Sequence, residues 1–234
     1  MLGGDGTINE VVNGINSGSD VHLGVLPGGT ANVLATELGL GSGLERAIDR
    51  LSRCVPKRIS LGKIWQADHP ARHFLMMAGA GFDAQVVCDL NPGLKARTGK
   101  MAYYVAGLGQ IFKRVGQLKT RINGDTYPCG FTLASRVRNY GGDLELACGA
   151  SLLSHEFEAV MFEGENPLRY AFYMLGVAVK QVQKMPGVHT VRTTRLELLG
   201  DAPIQVDGEY LGRSPATIEI VREALTLLVP KSYG

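Results

Sequence analysis

The run Gly3-Gly4-Asp5-Gly6-Thr7 stands at the head of the chain and constrains it more than any other stretch. Glycines at 3, 4 and 6 let the main chain turn tightly and bring its N–H groups close to an anion. A helix is expected directly after it. Thr7 and Glu10 form the S/T-x-x-E capping pattern, and Ile8, Val11, Val12 and Ile15 fall on one apolar face at helical spacing. A glycine turn that feeds a helix N-terminus is a candidate phosphate cradle, although such turns also occur without a ligand.

The same arrangement follows a second time. After Gly18 and Asp20, residues 21–26 read as a short strand that ends at Pro27, and Gly28-Gly29-Thr30-Ala31-Asn32 opens a helix over 33–38. This alternation predicts an α/β layer with a parallel sheet, whose loops at the carboxyl ends of the strands converge on one ligand. Leu44, Ala47, Ile48 and Leu51 predict a further helix.

Around Val55-Pro56-Lys57-Arg58 the pattern changes, and a domain boundary is expected there. Residues 1–56 form a partial α/β domain and residues 57–234 a mainly β domain, with the last strand free to return to the first domain. Alternation marks strands at 61–65, 74–78, 118–122, 131–133, 191–199 and 217–221. Asn123-Gly124-Asp125 and Asp207-Gly208 are hairpin turns, which predicts an antiparallel sandwich or barrel. Helices are expected at about 99–115 and 167–184.

Composition narrows the classes. The 234 residues are 45% hydrophobic and 20% charged, as in a globular protein, and a formal charge of +2 gives no footprint for nucleic acid. Cys54, Cys88, Cys129 and Cys148 lie far apart with no C-x-x-C pair, so buried free thiols are expected rather than disulfides or zinc. No apolar run approaches the roughly eighteen residues of a membrane span, and a secretion signal is absent from the first residues. The expected location is cytoplasmic.

Four motifs in order carry a family resemblance: Gly3-Gly4-Asp5-Gly6-Thr7 with Asn9-Glu10-Val11, Pro27-Gly28-Gly29-Thr30-Ala31-Asn32, Gly79-Ala80-Gly81-Phe82-Asp83-Ala84, and Val206-Asp207-Gly208-Glu209. The chain resembles the catalytic domain of the diacylglycerol kinase family, which includes sphingosine and bacterial lipid kinases. NAD kinases share the first motif but not the sequence around Thr30 or the Phe82-Asp83 segment.

The resemblance implies an NAD-kinase-like α/β nucleotide domain followed by an antiparallel β-sandwich-like domain. It also implies ATP-dependent transfer of the γ-phosphoryl group, with Mg²⁺, to the hydroxyl of diacylglycerol or a related membrane lipid alcohol. Under it, Gly3, Gly4, Asp5, Gly6, Thr7, Ile8, Asn9 and Thr30 hold the nucleotide phosphates. Glu209 is the expected proton acceptor and Asp5 a second carboxylate, which holds Mg²⁺ through water or orients the hydroxyl. Which of the two is the base stays open, and no metal ligand is assigned. Asp83 is expected near the lipid hydroxyl, and Asp207-Gly208 is accounted for as a hairpin turn. Phosphoryl transfer suits such a set, because it needs positioned phosphates, a divalent metal and a proton acceptor more than covalent help.

Two other readings compete. Gly79-x-Gly81-x-x-Ala84 after an apolar run satisfies the dinucleotide fingerprint of an NAD(P)-binding oxidoreductase, but residues 97–104 are basic and helical where that fold wants a strand ending in an acid. A non-catalytic lipid-binding remnant is the other. His69 and His73 form no metal pair, since Pro70 breaks helical spacing, and a polar hairpin loop is expected there.

The chain departs from the family at two places. Members carry further strands and helices ahead of the first glycine motif, and Met1-Leu2 stands where the end of that strand is expected. The nucleotide domain is therefore expected to be truncated, with poor ATP affinity. Near Ser151-Leu152-Leu153-Ser154-His155-Glu156-Phe157-Glu158, bacterial relatives have an Asp-Asp-Gly turn whose second Asp helps hold a structural Mg²⁺. Ser154 stands in its place, and whether Glu156 or Glu158 compensates is open.

The expected 99–115 helix has basic ends and an apolar, aromatic stripe that suit transient contact with an anionic inner membrane surface, as well as packing on the sandwich. Changing Lys95, Arg97 and Lys100 to Glu is expected to weaken sedimentation with anionic vesicles; unchanged sedimentation would count against membrane contact at this helix.

Overall fold

The computed structural model describes residues 1–15, 20–41, 43–67, 69–82, 84–85, 118–141, 144–164 and 166–233. The expected 99–115 helix and Asp83 lie outside these residues. The chain opens with β1 (Leu2–Gly3), α1 (Asp5–Gly14), β2 (His22–Leu23), β3 (Leu26–Pro27), α2 (Val33–Glu37) and α3 (Leu44–Leu51). As expected of an α/β layer, β1 and β3 are parallel, with Leu2 opposite Leu26 and Gly3 opposite Pro27.

Three local expectations change. Helix α1 begins at Asp5 with Gly4 as its N-cap and no side-chain cap bond, so Thr7 lies inside the first turn rather than capping it. The single strand expected over 21–26 is two pieces. β2 pairs in parallel with a later strand and β3 with β1; the change of partner falls at Gly24, where an added Cβ would stand 3.1 Å from Leu228 and 3.3 Å from Leu51. In α3 only Ala47 is buried, while Leu44 and Ile48 are exposed.

The rest is mainly antiparallel β. In chain order come β4 (Val55–Gln66), β5 (His69–Phe74), β6 (Met77–Gly81), β7 (Leu118–Ile122), β8 (Asp125–Cys129) and β9 (Phe131–Ser135). After them come β10 (Asn139–Gly141), β11 (Leu144–Glu145) and β12 (Phe157–Phe162), then helix α4 (Pro167–Ala178) and a 3-10 turn at Val182–Lys184. The last strands are β13 (Val188–Thr193), β14 (Arg195–Gly200), β15 (Pro203–Val206), β16 (Glu209–Arg213) and β17 (Ala216–Val229). One sheet runs β13-β12-β9-β6-β15-β16; the other runs β5-β4-β17-β14-β7-β8, with β2 added to β17.

Packing decides which runs alternate. Between the sheets lies a core that includes Ile64, Phe74, Leu118, Phe157, Met161, Leu198, Ile204 and Ile218, with Phe74 stacked on Phe157 at 5.6 Å. β7 is covered on one face and alternates buried with exposed, whereas β6, β9 and β12 are buried throughout. Strands covered on both faces read as continuous apolar runs, so period two is lost there.

The expected runs at 74–78 and 191–199 each divide where the chain passes from one sheet to the other. β5 ends at Phe74 and β6 begins at Met77; β13 ends at Thr193 and β14 begins at Arg195. His69 and His73 are on strand β5, paired with β4, and not in a hairpin loop. Among the described cysteines, Cys129 is buried, Cys54 half-buried and Cys148 exposed, so burial of the thiols holds only in part; all three are free.

β4 and β17 pair along most of their length, from Thr217 opposite Trp65 to Val229 opposite Val55, with a bulge between Val221 and Leu225. Past the bulge, Leu225, Leu227 and Val229 join the same apolar cluster as Ile8, Val12, Leu23 and Leu34. The last strand thus carries the opening α/β elements on the end of the sandwich. No helix among the described residues is long and apolar enough to cross a membrane.

Gly62 on β4 lies under the Phe74 ring, and an added Cβ would meet it at 2.2 Å. Gly62→Ala should displace Phe74 from its stack on Phe157, at a cost of about 1–3 kcal/mol. Thermal denaturation is expected to show a melting temperature several degrees lower.

Candidate functional site

The two glycine loops meet backbone to backbone. Gly28 N–H donates to Gly3 O at 3.0 Å, and a Cβ on Gly29 would stand 2.5 Å from Gly4 Cα. No side chain fits between them, which is the local reason for glycine at both positions. In α1 the Ile8 N–H donates to Gly4 O at 3.0 Å, so the donors of the first turn that lack an intrahelical acceptor are those before Ile8. Thr7 and Thr30 are exposed; Ile8 is a core residue.

Asp5 joins the loops. Helix α2 has no cap of its own, because Asn32 sits in the left-handed region at φ 49° and turns its amide back on Gly29, accepting from Gly29 N at 2.8 Å and donating to Gly29 O at 2.7 Å. The Asp5 carboxylate replaces that cap by accepting from Val33 N at 3.1 Å and Leu34 N at 3.4 Å. Burial pushes the Asp5 carboxyl above its ordinary range, and these main-chain donors oppose the shift.

The far end of α2 is held by Glu37, whose buried side chain accepts from Arg138 N at 3.0 Å, Asn139 N at 3.3 Å and Tyr233 Oη at 3.0 Å. Burial, with Glu37 close by, pushes the Tyr233 phenol up to about 12.

Asp207 is more than the turn residue expected of it. Its side chain is buried at the crossover between the sheets, where it accepts from Leu75 N, Met76 N and Met77 N, each at 3.0 Å, and from Asn9 Nδ2 at 2.8 Å. Burial raises its pKa, and the four donors pull against that rise. In return, Asp207 N donates to Met77 O at 2.9 Å. Asp207 is left-handed at φ 47° and Gly208 at φ 84°, the pair of positive φ values a tight hairpin turn requires.

Asn9 is fully buried, and its amide serves the protein. It donates to Asp207 and to His73 O at 3.1 Å, and accepts from Arg72 Nε at 2.9 Å and Asn13 Nδ2 at 3.2 Å. Arg72 Nη2 then reaches Glu209 Oε2 at 3.5 Å and also contacts Glu10. Through this chain of contacts Glu209, next after the Asp207-Gly208 turn, arrives beside the first turn of α1. A Cβ on Gly6 would stand 2.4 Å from Glu209 Oε1. Its side chain is 46% exposed, next to a helix N-terminus that favours negative charge.

The structure therefore brings together Gly3, Gly4, Asp5, Gly6, Thr7, Thr30 and Glu209, while Asp83 lies outside the described residues. Sequence reasoning missed Arg72, Glu37 and the hub at Asp207. A charged residue within an alternating run carries no local sign of its partner; a buried Asp in a Val-Asp-Gly-Glu turn between apolar strands was the available clue.

The rival dinucleotide fingerprint has a structural account. β6 lies antiparallel between β9 and β15, not in the parallel unit that such a site needs, and Gly81 at φ 91° permits close approach of Gly130 O, which a Cβ would meet at 2.1 Å.

An α/β layer with paired glycine loops is thus seated on an antiparallel sandwich that returns a carboxylate to them. Residues 1–64 match the model of the diacylglycerol kinase catalytic domain. Across 97% of the chain and 75% of the relative, it is 28% identical to a diacylglycerol kinase of Staphylococcus saprophyticus; for one of Bacillus subtilis the values are 26%, 98% and 76%. A crystal structure of a diacylglycerol kinase from Bacillus anthracis superposes with a TM-score of 0.75 at 19% identity, covering 99% of this chain and 77% of that one, and so shares the fold. The chain is thus similar in sequence to these bacterial diacylglycerol kinases over nearly its whole length, and its first 64 residues match the family's catalytic-domain model.

Asp207→Asn puts an NH₂ group against donors that now meet a carboxylate oxygen. Leaving a buried donor unpaired costs about 1–3 kcal/mol, so a lower denaturation midpoint is expected in urea or on heating.

Proposed function

We propose that this chain is an ATP-dependent lipid kinase that transfers the γ-phosphoryl group to the hydroxyl of diacylglycerol or a similar lipid alcohol. The observation that carries the reading is the meeting of Glu209 with the first turn of α1, beside two glycine loops in backbone contact. The main-chain N–H groups of that turn and the exposed Thr7 and Thr30 hydroxyls are available donors for nucleotide phosphates.

Glu209 is the candidate base. It takes the proton of the lipid hydroxyl while the oxygen bonds to the γ-phosphorus; the bond from that phosphorus to the β–γ bridging oxygen breaks, and ADP leaves. Asp5 is the less suitable base, since its carboxylate already accepts two main-chain N–H groups. Mg²⁺ keeps several waters and asks for one or two carboxylates, so Asp5, through water, would be the fitting donor for an ion accompanying the nucleotide, where it would neutralise phosphate charge. Asp83 is the remaining candidate for contact with the lipid headgroup. Residues 1–56 would serve the nucleotide and 57–234 the lipid, with the enzyme working at the cytoplasmic face of the membrane where its substrate lies.

Labelled-ATP transfer to diacylglycerol in mixed micelles tests this. The intact protein should transfer phosphate, and Glu209→Gln should lower the rate about 10²-fold or more with little change in melting temperature. Vesicle binding without any transfer would instead favour a non-catalytic lipid-binding protein.

A further inference from the structure

Arg136 follows β9 directly and is the largest fully buried side chain among the described residues. Its main-chain N donates to Met76 O at 2.8 Å, which anchors it at the crossover that Asp207 holds. Nη2 donates to the carbonyls of Leu152 at 2.5 Å and Ser154 at 3.2 Å, whereas Nε and Nη1 have no hydrogen-bond partner in the protein. Burial pulls the guanidinium down to about 10, with Tyr233 and Asp207 acting to raise it, so it stays charged at neutral pH. A buried cation held only by two carbonyls is costly unless it does something the fold needs.

Leu152 and Ser154 belong to the turn at which the family resemblance implies a structural Mg²⁺. The donors present do not fit that ion. The Ser154 hydroxyl is closed on its own turn, where it accepts from Glu156 N at 3.2 Å. Glu158 is buried and accepts from Gln183 Nε2 at 2.6 Å, while Glu156 is exposed. Among the described residues no group of three or more His, Cys, Asp or Glu side chains could hold a metal. The turn's carbonyls, which could serve Mg²⁺ as oxygen ligands, are instead engaged by a fixed positive charge that would repel it.

We propose that Arg136 is a built-in cation standing in for that structural Mg²⁺: its guanidinium holds the Leu152–Ser154 turn and offsets the buried Asp207 carboxylate, so this lobe needs no divalent metal. The two remaining N–H groups are donors for ordered water, the usual partner of buried polar atoms without a protein acceptor. The proposal concerns the fold of the β lobe and leaves the Mg²⁺ that would accompany ATP untouched.

Melting temperatures of nucleotide-free protein test it, measured in the Glu209→Gln background so that the candidate transfer site contributes less metal binding. The expected result is the same melting temperature in excess EDTA and in excess magnesium chloride. Arg136→Met should lower it on the order of 10 °C in both conditions. Adding Ser154→Asp to Arg136→Met should make the melting temperature rise with magnesium. If Arg136→Met does not fold, Arg136→Lys, which keeps the charge, should melt below the parent and without responding to magnesium. A parent protein that loses stability in EDTA and regains it with magnesium would overturn the proposal, as would an Arg136→Met protein of undiminished stability.

Discussion

The buried carboxylate of Asp207 is the interaction on which the rest of the structure depends. Where the chain crosses from β5 to β6 it leaves one ladder before joining the next, and the N–H groups of Leu75, Met76 and Met77, the first residue of β6, all turn to Asp207. Unpaired buried donors are costly, and one ionised side chain accepts all three. The fourth donor, from Asn9, ties the crossover to α1. A single residue thus closes the sandwich and sets the sandwich against the glycine-loop helix.

Glu209 inherits its position from that hub. The turn is fixed by Asp207, and two residues on, the Glu209 carboxylate is led to Gly6 and Arg72. Asp5 and Glu37 play the matching part on the other side, capping α2 at its start and fastening its end to Arg138, Asn139 and Tyr233. Of these acids, Asp207 and Glu37 are buried and engaged and Asp5 is mostly so, while Glu209 keeps an exposed side chain. The same side-chain chemistry therefore serves structure at three positions and is left available at one.

Legibility in the sequence followed the range of the interactions. Both glycine loops, the helices after them and the Asn123-Gly124 and Asp207-Gly208 hairpins were readable, because each rests on residues a few positions apart. The start of α1 was misread at Thr7, since an S/T-x-x-E pattern is only a local preference and Gly4 begins the helix without a side-chain cap. The divided strands at 74–78 and 191–199 were read as single runs, since apolar alternation does not say which sheet a residue faces.

By itself the sequence determined where the main chain can turn tightly and where helices and hairpins start, because glycine conformation and side-chain periodicity act over one or two turns. Its resemblance to a lipid-kinase family also singled out Thr7 and Thr30 as candidates for holding phosphate and Asp5 and Glu209 as the candidate carboxylates. Only the tertiary structure decided which of the acids stays available. The partners that occupy the others, such as Asn9 with Asp207 across 198 positions and Asp5 with Val33 across 28, meet only when the lobes pack, and burial then makes each pairing obligatory.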